Sequence, residues 1–230
     1  MPGEPFGLKR EIRVTGDGSP TIYVPALNEN YHSSHGAVQE SLHVFIEAGL
    51  KQFSLPRLRI FEVGFGTGLN CLLTCIYGRG RKIQYHTIEP FPVDAGLLES
   101  LYYPNLCTPD ISVIFNIMHK VQWEAEQEIT EGFALLKSRC SLNDFIPSDV
   151  YNLVYFDAFA PEVQPELWTM EVFEKIYNML AYNGVLVTYC AKGEVRRNLQ
   201  ACGFVTERLP GPPGKREMLR ARKLGSENDL

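Results

Sequence analysis

The chain has 230 residues, a formal charge of −5, 45% hydrophobic residues and 21% charged residues. It is long enough for one large domain, or a domain with a small extension, and apolar enough to exclude disorder throughout. No run of about 18 apolar residues offers a membrane span. The start, Met1-Pro2-Gly3-Glu4, lacks the basic and then apolar regions of a secretory signal, so a cytoplasmic protein with reduced thiols at its six cysteines is expected.

Ile12 to Val24 reads as two short strands around Gly16-Asp17-Gly18, a hairpin pattern. Val38, Leu42, Phe45, Ile46 and Leu50 recur with helical spacing between Ser33 and Leu50, and Pro56 stops that element. Strands and helices then alternate. Leu58–Val63, Ile83–Ile88, Phe133–Lys137, Tyr151–Phe156 and Val185–Tyr189 are strand-like. Leu69–Tyr77, Val93–Leu101, Glu166–Leu180 and Val195–Ala201 are helix-like, and Gly203 suits a helix end. Phe204–Leu209 and Glu217–Arg220 suit a closing pair of strands, and a further helix is expected near Asn116 to Ile129. This alternation predicts an α/β fold, a doubly wound parallel sheet with helices on both faces. Residues 1–55 are expected to form a hairpin and helix extension packed on the core, 56–223 the core, and 224–230 a flexible tail.

The densest local pattern is Glu62-Val63-Gly64-Phe65-Gly66-Thr67-Gly68-Leu69-Asn70, directly after an apolar strand and opening a helix. Glycines belong where the chain turns sharply and a ligand approaches the backbone. The spacing is G-x-G-x-G, which departs from the dinucleotide pattern and suits a nucleoside-like ligand without a pyrophosphate. Glu89, 21 residues beyond Gly68 and at the end of the next strand, is placed to accept hydrogen bonds from both hydroxyls of a ribose. A second pattern is Asp157-Ala158-Phe159-Ala160-Pro161, followed by Pro165-Glu166-Leu167-Trp168-Thr169. A strand that ends in an acid puts that acid at the carboxyl edge of the sheet, where α/β folds hold ligands. There Asp157 is suited to orient an amine or take its proton, while Phe159 and Trp168 offer aromatic faces for a base or for packing.

Glycine loop, strand-end acid and alternation together resemble the class I S-adenosyl-L-methionine-dependent methyltransferases. The resemblance implies a Rossmann-like, mostly parallel seven-stranded sheet that binds S-adenosyl-L-methionine and releases S-adenosyl-L-homocysteine. It assigns Glu62, Gly64, Phe65, Gly66, Thr67, Gly68, Asn70 and Asp157 to the cofactor and Glu89 to its ribose. The strand-3 end, Cys140 to Asp144, falls at the adenine, with Ser141 in the matching slot and Asp144 three residues later. The D-x-F-A-P run, Val195-Arg196-Arg197, and Gly214-Lys215-Arg216-Glu217-Met218 look closely like the methyltransferase half of the bifunctional tRNA wobble-uridine enzymes of the MnmC family, as does Tyr31 through Glu40. That implies methylation of a 5-aminomethyl-uridine, 2-thiolated or not, in the anticodon stem-loop of tRNA. Asp157 would be catalytic and Tyr31, Glu40, Phe159 and Trp168 would lie near the base. The bifunctional enzymes continue into an FAD-dependent oxidoreductase. This chain ends at Leu230, so no FAD chemistry is expected and a separate enzyme would supply the amine.

From Lys192 to Lys223 nine Lys and Arg stand against three Glu, which leaves −11 on the rest. Such a segment is either a polyanion contact or a solvated face. On the first reading Arg196, Arg197, Lys215 and Arg216 touch tRNA phosphates. Cys71 and Cys75, four apart, are expected to be core residues, and no metal is expected at His32 and His35. A methyltransferase or aminopropyltransferase for a small amine would share the cofactor pattern but need no basic segment. A non-catalytic RNA-binding module would need no Asp157.

Overall fold

The computed structural model describes residues 9–225 apart from 102, 104, 105, 107 and 108. The chain begins with a three-stranded antiparallel sheet, β1 (Glu11–Val14), β2 (Pro20–Val24) and β3 (Glu29–Asn30). Its first turn is tied by polar side chains. Thr15 Oγ1 and the Ser19 amide both donate to Asp17 Oδ1, at 2.8 and 3.0 Å. The other Asp17 oxygen accepts from the amide of Gln39 at 3.0 Å, which joins the hairpin to the following helix.

That helix is composite. A short α-helix α1 (Ala37–Ser41) runs into a π-helical stretch over Leu42–Glu47 and a 3₁₀ turn over Leu50–Gln52. The sequence pattern predicts a single α-helix here. The wider π turns accommodate burial of three consecutive apolar residues, Val44, Phe45 and Ile46.

The main sheet is built from β4 (Arg57–Val63), β5 (Lys82–Ile88), β6 (Gln127–Thr130), β7 (Phe133–Ser138), β8 (Tyr151–Phe156), β9 (Leu180–Thr188), β10 (Val205–Pro210) and β11 (Glu217–Arg222). Their spatial order is β10-β11-β9-β8-β4-β5-β7-β6. The pairs β9–β8, β8–β4, β4–β5 and β5–β7 are parallel, while β11 and β6 run against their neighbours. The helices are α2 (Leu69–Tyr77), α3 (Ala95–Glu99), α4 (Pro109–Lys120), α5 (Met170–Met179) and α6 (Gly193–Ala201).

The expected α/β, mostly parallel sheet is thus present, with eight strands in place of seven. The extra strand is β6, in the segment read as helix. Residues 121–130 have helix-forming composition, but tertiary pairing overrides it. Lys137 Nζ donates to the carbonyls of Met118 and His119, at 3.0 and 3.1 Å, and so caps the end of α4. Glu124 then takes a φ of 63° while its amide donates to the Lys137 carbonyl at 2.7 Å, and the chain returns as an edge strand along β7.

Alternation along β4 splits the core. Leu58 and Ile60 face a cluster made with the composite helix, α2 and α4, and Ile22 and Val38 of the N-terminal segment join it. Phe61 and Val63 face the opposite cluster, which holds Val172, Phe173 and Ile176 of α5 and Val195 and Leu199 of α6. Each such fully buried apolar side chain contributes about 1.5–3 kcal/mol. Cys71 and Cys75 are core residues, as expected, and burial pushes both thiols up from their ordinary pKa. The expected tail lies outside the described residues from 226 onward. Among the described residues no helix is long and apolar enough to cross a membrane.

Candidate active site

A cavity of about 1000 Å³ opens at the carboxyl ends of β4, β5, β8 and β9. That is the upper end of the range for small-molecule sites, with room for two ligands side by side. Its floor is the turn after β4. The amides of Gly64 and Phe65 both reach the Ile88 carbonyl, at 3.1 and 3.3 Å, and the Asp157 amide reaches Val63 at 3.2 Å, so three strand ends are tied together.

Gly64 and Gly66 have φ of 90° and 51°, where a side chain would be strained. A Cβ on Gly64 would lie 2.9 Å from the Asp157 carbonyl oxygen, and one on Gly66 would lie 3.1 Å from the Tyr31 ring. The glycines therefore clear a cradle between the sheet edge and Tyr31. Gly68 is turned inward toward Met118 and Phe65, starts α2, and does not line the cavity. Thr67 does, and its hydroxyl accepts from Tyr103 at 3.1 Å and meets His32 Nε2 at 3.3 Å.

Glu89 stands at the end of β5, buried, and burial pushes its carboxyl pKa up. Its two oxygens accept from the amides of Gly66 at 3.1 Å and Phe91 at 2.9 Å. Each oxygen keeps a second lone pair for a ligand, which fits a vicinal diol. Arg10 closes this end, with its guanidinium donating to the carbonyls of Pro92 and Phe91 at 3.1 and 2.9 Å. Beyond β7, Ser141 is on the cavity wall beside Leu142 and Asn143. Asp144 is not. Its carboxylate accepts from Ser141 Oγ at 2.7 Å in a local turn, so this wall of the cavity is made by Ser141 and its neighbours without that acid.

Asp157 directly follows β8 and faces the cavity between the glycine loop and Phe159. Asn70, in the first turn of α2, donates from Nδ2 to Asp157 Oδ2 at 2.8 Å and orients it. Burial and the Glu40 charge push the Asp157 pKa up to about 7, only partly offset by Asn70 and by Lys215. Glu62 lies beneath, fully buried and off the cavity wall, and burial pushes its carboxyl well up. Burial thus favours its uncharged form beneath the floor.

Tyr31 packs edge-on against Phe159 with ring centroids 5.3 Å apart, and the two form a wall beside Asp157. Trp168 does not line this cavity. It is buried against Phe156 and Phe173, and its Nε1 donates to the Phe159 carbonyl at 2.8 Å, which holds Phe159 from behind.

Of the basic segment, Lys215 alone reaches the cavity among Arg196, Arg197, Lys215 and Arg216. Its Nζ is 2.5 Å from Glu40 Oε1, while Glu40 Oε2 accepts from the Ser33 amide at 2.7 Å. Among the described residues Arg196, Arg197 and Arg216 form no ion pair, whereas Lys192, Arg208, Arg220 and Arg222 are paired with Glu162, Glu217 and Glu207.

Sequence reasoning missed Arg10 and Tyr189, and of His32 it expects only that it holds no metal. Burial pushes the His32 pKa down to about 4, so it is a neutral bridge from Thr21 to Thr67. No sequence spacing marks Arg10 or Tyr189, because each acts across the fold. Among the described residues no group of three or more His, Cys, Asp or Glu is placed to hold a metal ion.

Residues 120–224 match the model of a family described as S-adenosyl-L-methionine-dependent methyltransferase. Over 91% of its length the chain is 30% identical to the tRNA 5-methylaminomethyl-2-thiouridine biosynthesis bifunctional protein MnmC of Azoarcus sp. (strain BH72), and it covers 35% of that protein. It is also 30% identical, over 91% of its length, to the protein of the same name from Cupriavidus metallidurans, covering 33% of it. The chain thus spans about a third of the length of the curated relatives it matches. Among solved structures it is similar to MNMC2 from Aquifex aeolicus, with a TM-score of 0.78 and 25% identity, over 94% of this chain and 71% of that one.

Proposed function

We propose that this chain, which is similar to the S-adenosyl-L-methionine-dependent methyltransferases over residues 120–224 and in its fold, methylates the primary amine of a 5-aminomethyl-uridine, 2-thiolated or not, at the wobble position of tRNA. The product is the 5-methylaminomethyl form. The observation that carries this reading is the single cavity that holds Glu89 and the glycine loop at one end and Asp157 with Glu40 at the other. The name of the relatives, tRNA 5-methylaminomethyl-2-thiouridine biosynthesis proteins, supports the substrate. Residues 1–55 serve as an extension on the 56–223 core, and the reaction belongs to the cytoplasm where tRNA is modified.

The residues present fit the donor. The backbone of Gly64, Phe65 and Gly66 would face its methionine part, Glu89 its ribose hydroxyls, and Ser141 and Leu142 its base. When bound, the donor supplies a methyl group on a positively charged sulfur. Asp157, held by Asn70, would fix the amine nitrogen in line with that methyl. Tyr31 and Phe159 would flank a flipped uracil, which costs little to extrude from a single-stranded anticodon loop. Arg196, Arg197 and Arg216, free of ion pairs among the described residues, would meet the phosphates.

The amine must be neutral when it attacks, and an alkylammonium has a pKa of about 10.4, like lysine. Asp157, at about 7, lies roughly 3 units below that, so passing the proton to it costs about 4 kcal/mol unless the site disfavours the ammonium. Positioning is therefore the first task of Asp157, and proton transfer the second.

The test is methyl transfer from labelled donor to tRNA lacking only this methyl group, with tRNA-free and small-amine controls. Label confined to tRNA supports the reading. Equal labelling of small amines, or none in tRNA, overturns it.

A further inference from the structure

The reaction needs an uncharged amine beside two carboxylates, an arrangement that by itself favours the charged form. We propose that Lys215 is a fixed cation of the acceptor site, which neutralises Glu40 and so keeps the acceptor amine from being trapped as an ammonium. The proposal rests on the functional reading above, because it requires an amine acceptor.

Lys215 is built into the cavity. Its ammonium contacts the buried Glu40 at 2.5 Å and sits 3.7 Å above the ring centroid of Tyr189, whose hydroxyl donates to the Ala158 carbonyl at 2.9 Å, next to Asp157. The loop that carries it is held at both ends. The Lys215 amide donates to Pro212 at 2.9 Å and the Gly211 amide to Arg216 at 3.1 Å. Gly214 packs directly on the His35 ring, where any Cβ would collide at 2.3 Å. An ammonium already bonded to a buried carboxylate is poorly placed to serve as a phosphate contact, unlike the exposed Arg197 and Arg216.

The titratable groups around the cluster are Glu29, Glu40 and His35 from the N-terminal segment, Asp157 after β8, and Tyr189 and Cys190 after β9, with His32 behind Glu40. Lys215 lowers the Asp157 and Cys190 pKa values, so its charge is felt across the site. Lys215 removes one net negative charge from those that face the acceptor. Without it that charge is restored, and the acceptor proton is held more tightly. In the productive step the acceptor ammonium gives its proton to Asp157 or water. The freed nitrogen lone pair then forms the new N–C bond as the C–S bond breaks, its electron pair staying on sulfur. The secondary ammonium product loses its extra proton to solvent.

The experiment is the pH dependence of kcat for tRNA methylation at saturating tRNA, for wild type, Lys215→Met and Lys215→Arg, with tRNA affinity measured over a salt series. The kcat profile reports ionisations in the bound complex. Lys215→Met is expected to move the acid limb up by about 1–2 pH units, the order expected of one nearby charge. Its rate should recover at high pH with an unchanged salt slope, and Lys215→Arg should restore the wild-type profile. Glu40→Gln should move the limb the opposite way, which provides a readout if Lys215→Met does not fold. A weakened salt slope with an unmoved profile would identify Lys215 as a phosphate contact and overturn the proposal, as would a loss of rate equal at every pH. If wild type methylates tRNA while neither variant shifts the limb, only this proposal fails. If wild type transfers no methyl to tRNA, the functional reading fails with it.

Discussion

Replacing Asp157 by Asn is expected to abolish methyl transfer and, at the same time, to stabilise the fold in a pH-dependent way. Burial and Glu40 raise the Asp157 pKa from 3.8 to about 7. A carboxyl whose folded pKa is raised binds its proton more tightly in the folded state. Stability is therefore lost as pH rises from the unfolded value of about 4 through the folded value, and the loss is complete above about pH 7. About 3 units at 1.36 kcal/mol each sets an upper bound of about 4 kcal/mol. The carboxyl faces an open cavity and keeps some solvent contact, so about 2 kcal/mol is the realistic cost. An Asn carries no such cost, and titrations common to both proteins cancel in the difference. For a chain of this size about 2 kcal/mol corresponds to roughly 4–8 °C. Thermal melts of both proteins at pH 4 and pH 8 provide the assay. The variant should gain on wild type by that amount at pH 8 and by little at pH 4. A Tm difference that does not change with pH would refute the reasoning, because it would mean that Asp157 ionises normally.

Gly66→Ala should cost about 1–2 kcal/mol from its left-handed φ of 51° and push the Tyr31 ring, lowering Tm and weakening donor binding together. Denaturant titration and calorimetry would check this, and a variant as stable and as tight as wild type would contradict the cradle. Arg197→Ala and Arg216→Ala should each weaken tRNA binding uniformly and reduce the slope of log K against log salt by about 1, in filter binding over a salt series. An unchanged slope would remove that residue from the phosphate contacts. Glu89→Ala should weaken the binding of the demethylated donor by roughly 10–100-fold, the cost of unpairing buried hydroxyls. An unchanged affinity would remove it from the ribose site.

The parts of the site that were legible in the sequence are those where one strand and its following turn do the work. Gly64, Gly66, Glu89 and Asp157 each lie at a strand end, and an apolar run followed by a glycine or an acid marks such an end locally. Asp144 shows the limit of this reasoning, because a nearby hydroxyl, Ser141, captured its carboxylate. Trp168 resembles a stacking residue in the sequence, yet its apolar area is better satisfied against Phe156 and Phe173. The Lys215–Glu40 pair spans 175 residues, and its meeting is set by where the β10–β11 hairpin lands on the N-terminal segment, which no local pattern encodes. The same holds for β6, whose composition favours a helix and whose pairing with β7 decides otherwise.

Calorimetric titration of the purified protein with S-adenosyl-L-homocysteine is the most direct examination of whether this cavity is a methyl-donor site. Wild type and Asp157→Asn should both bind it at one site with comparable affinity, as the proposed placement of Asp157 at the acceptor end requires, while Glu89→Ala should bind it far more weakly. Absence of any binding heat for folded wild-type protein, or binding unaffected by the loss of Glu89, would contradict the account.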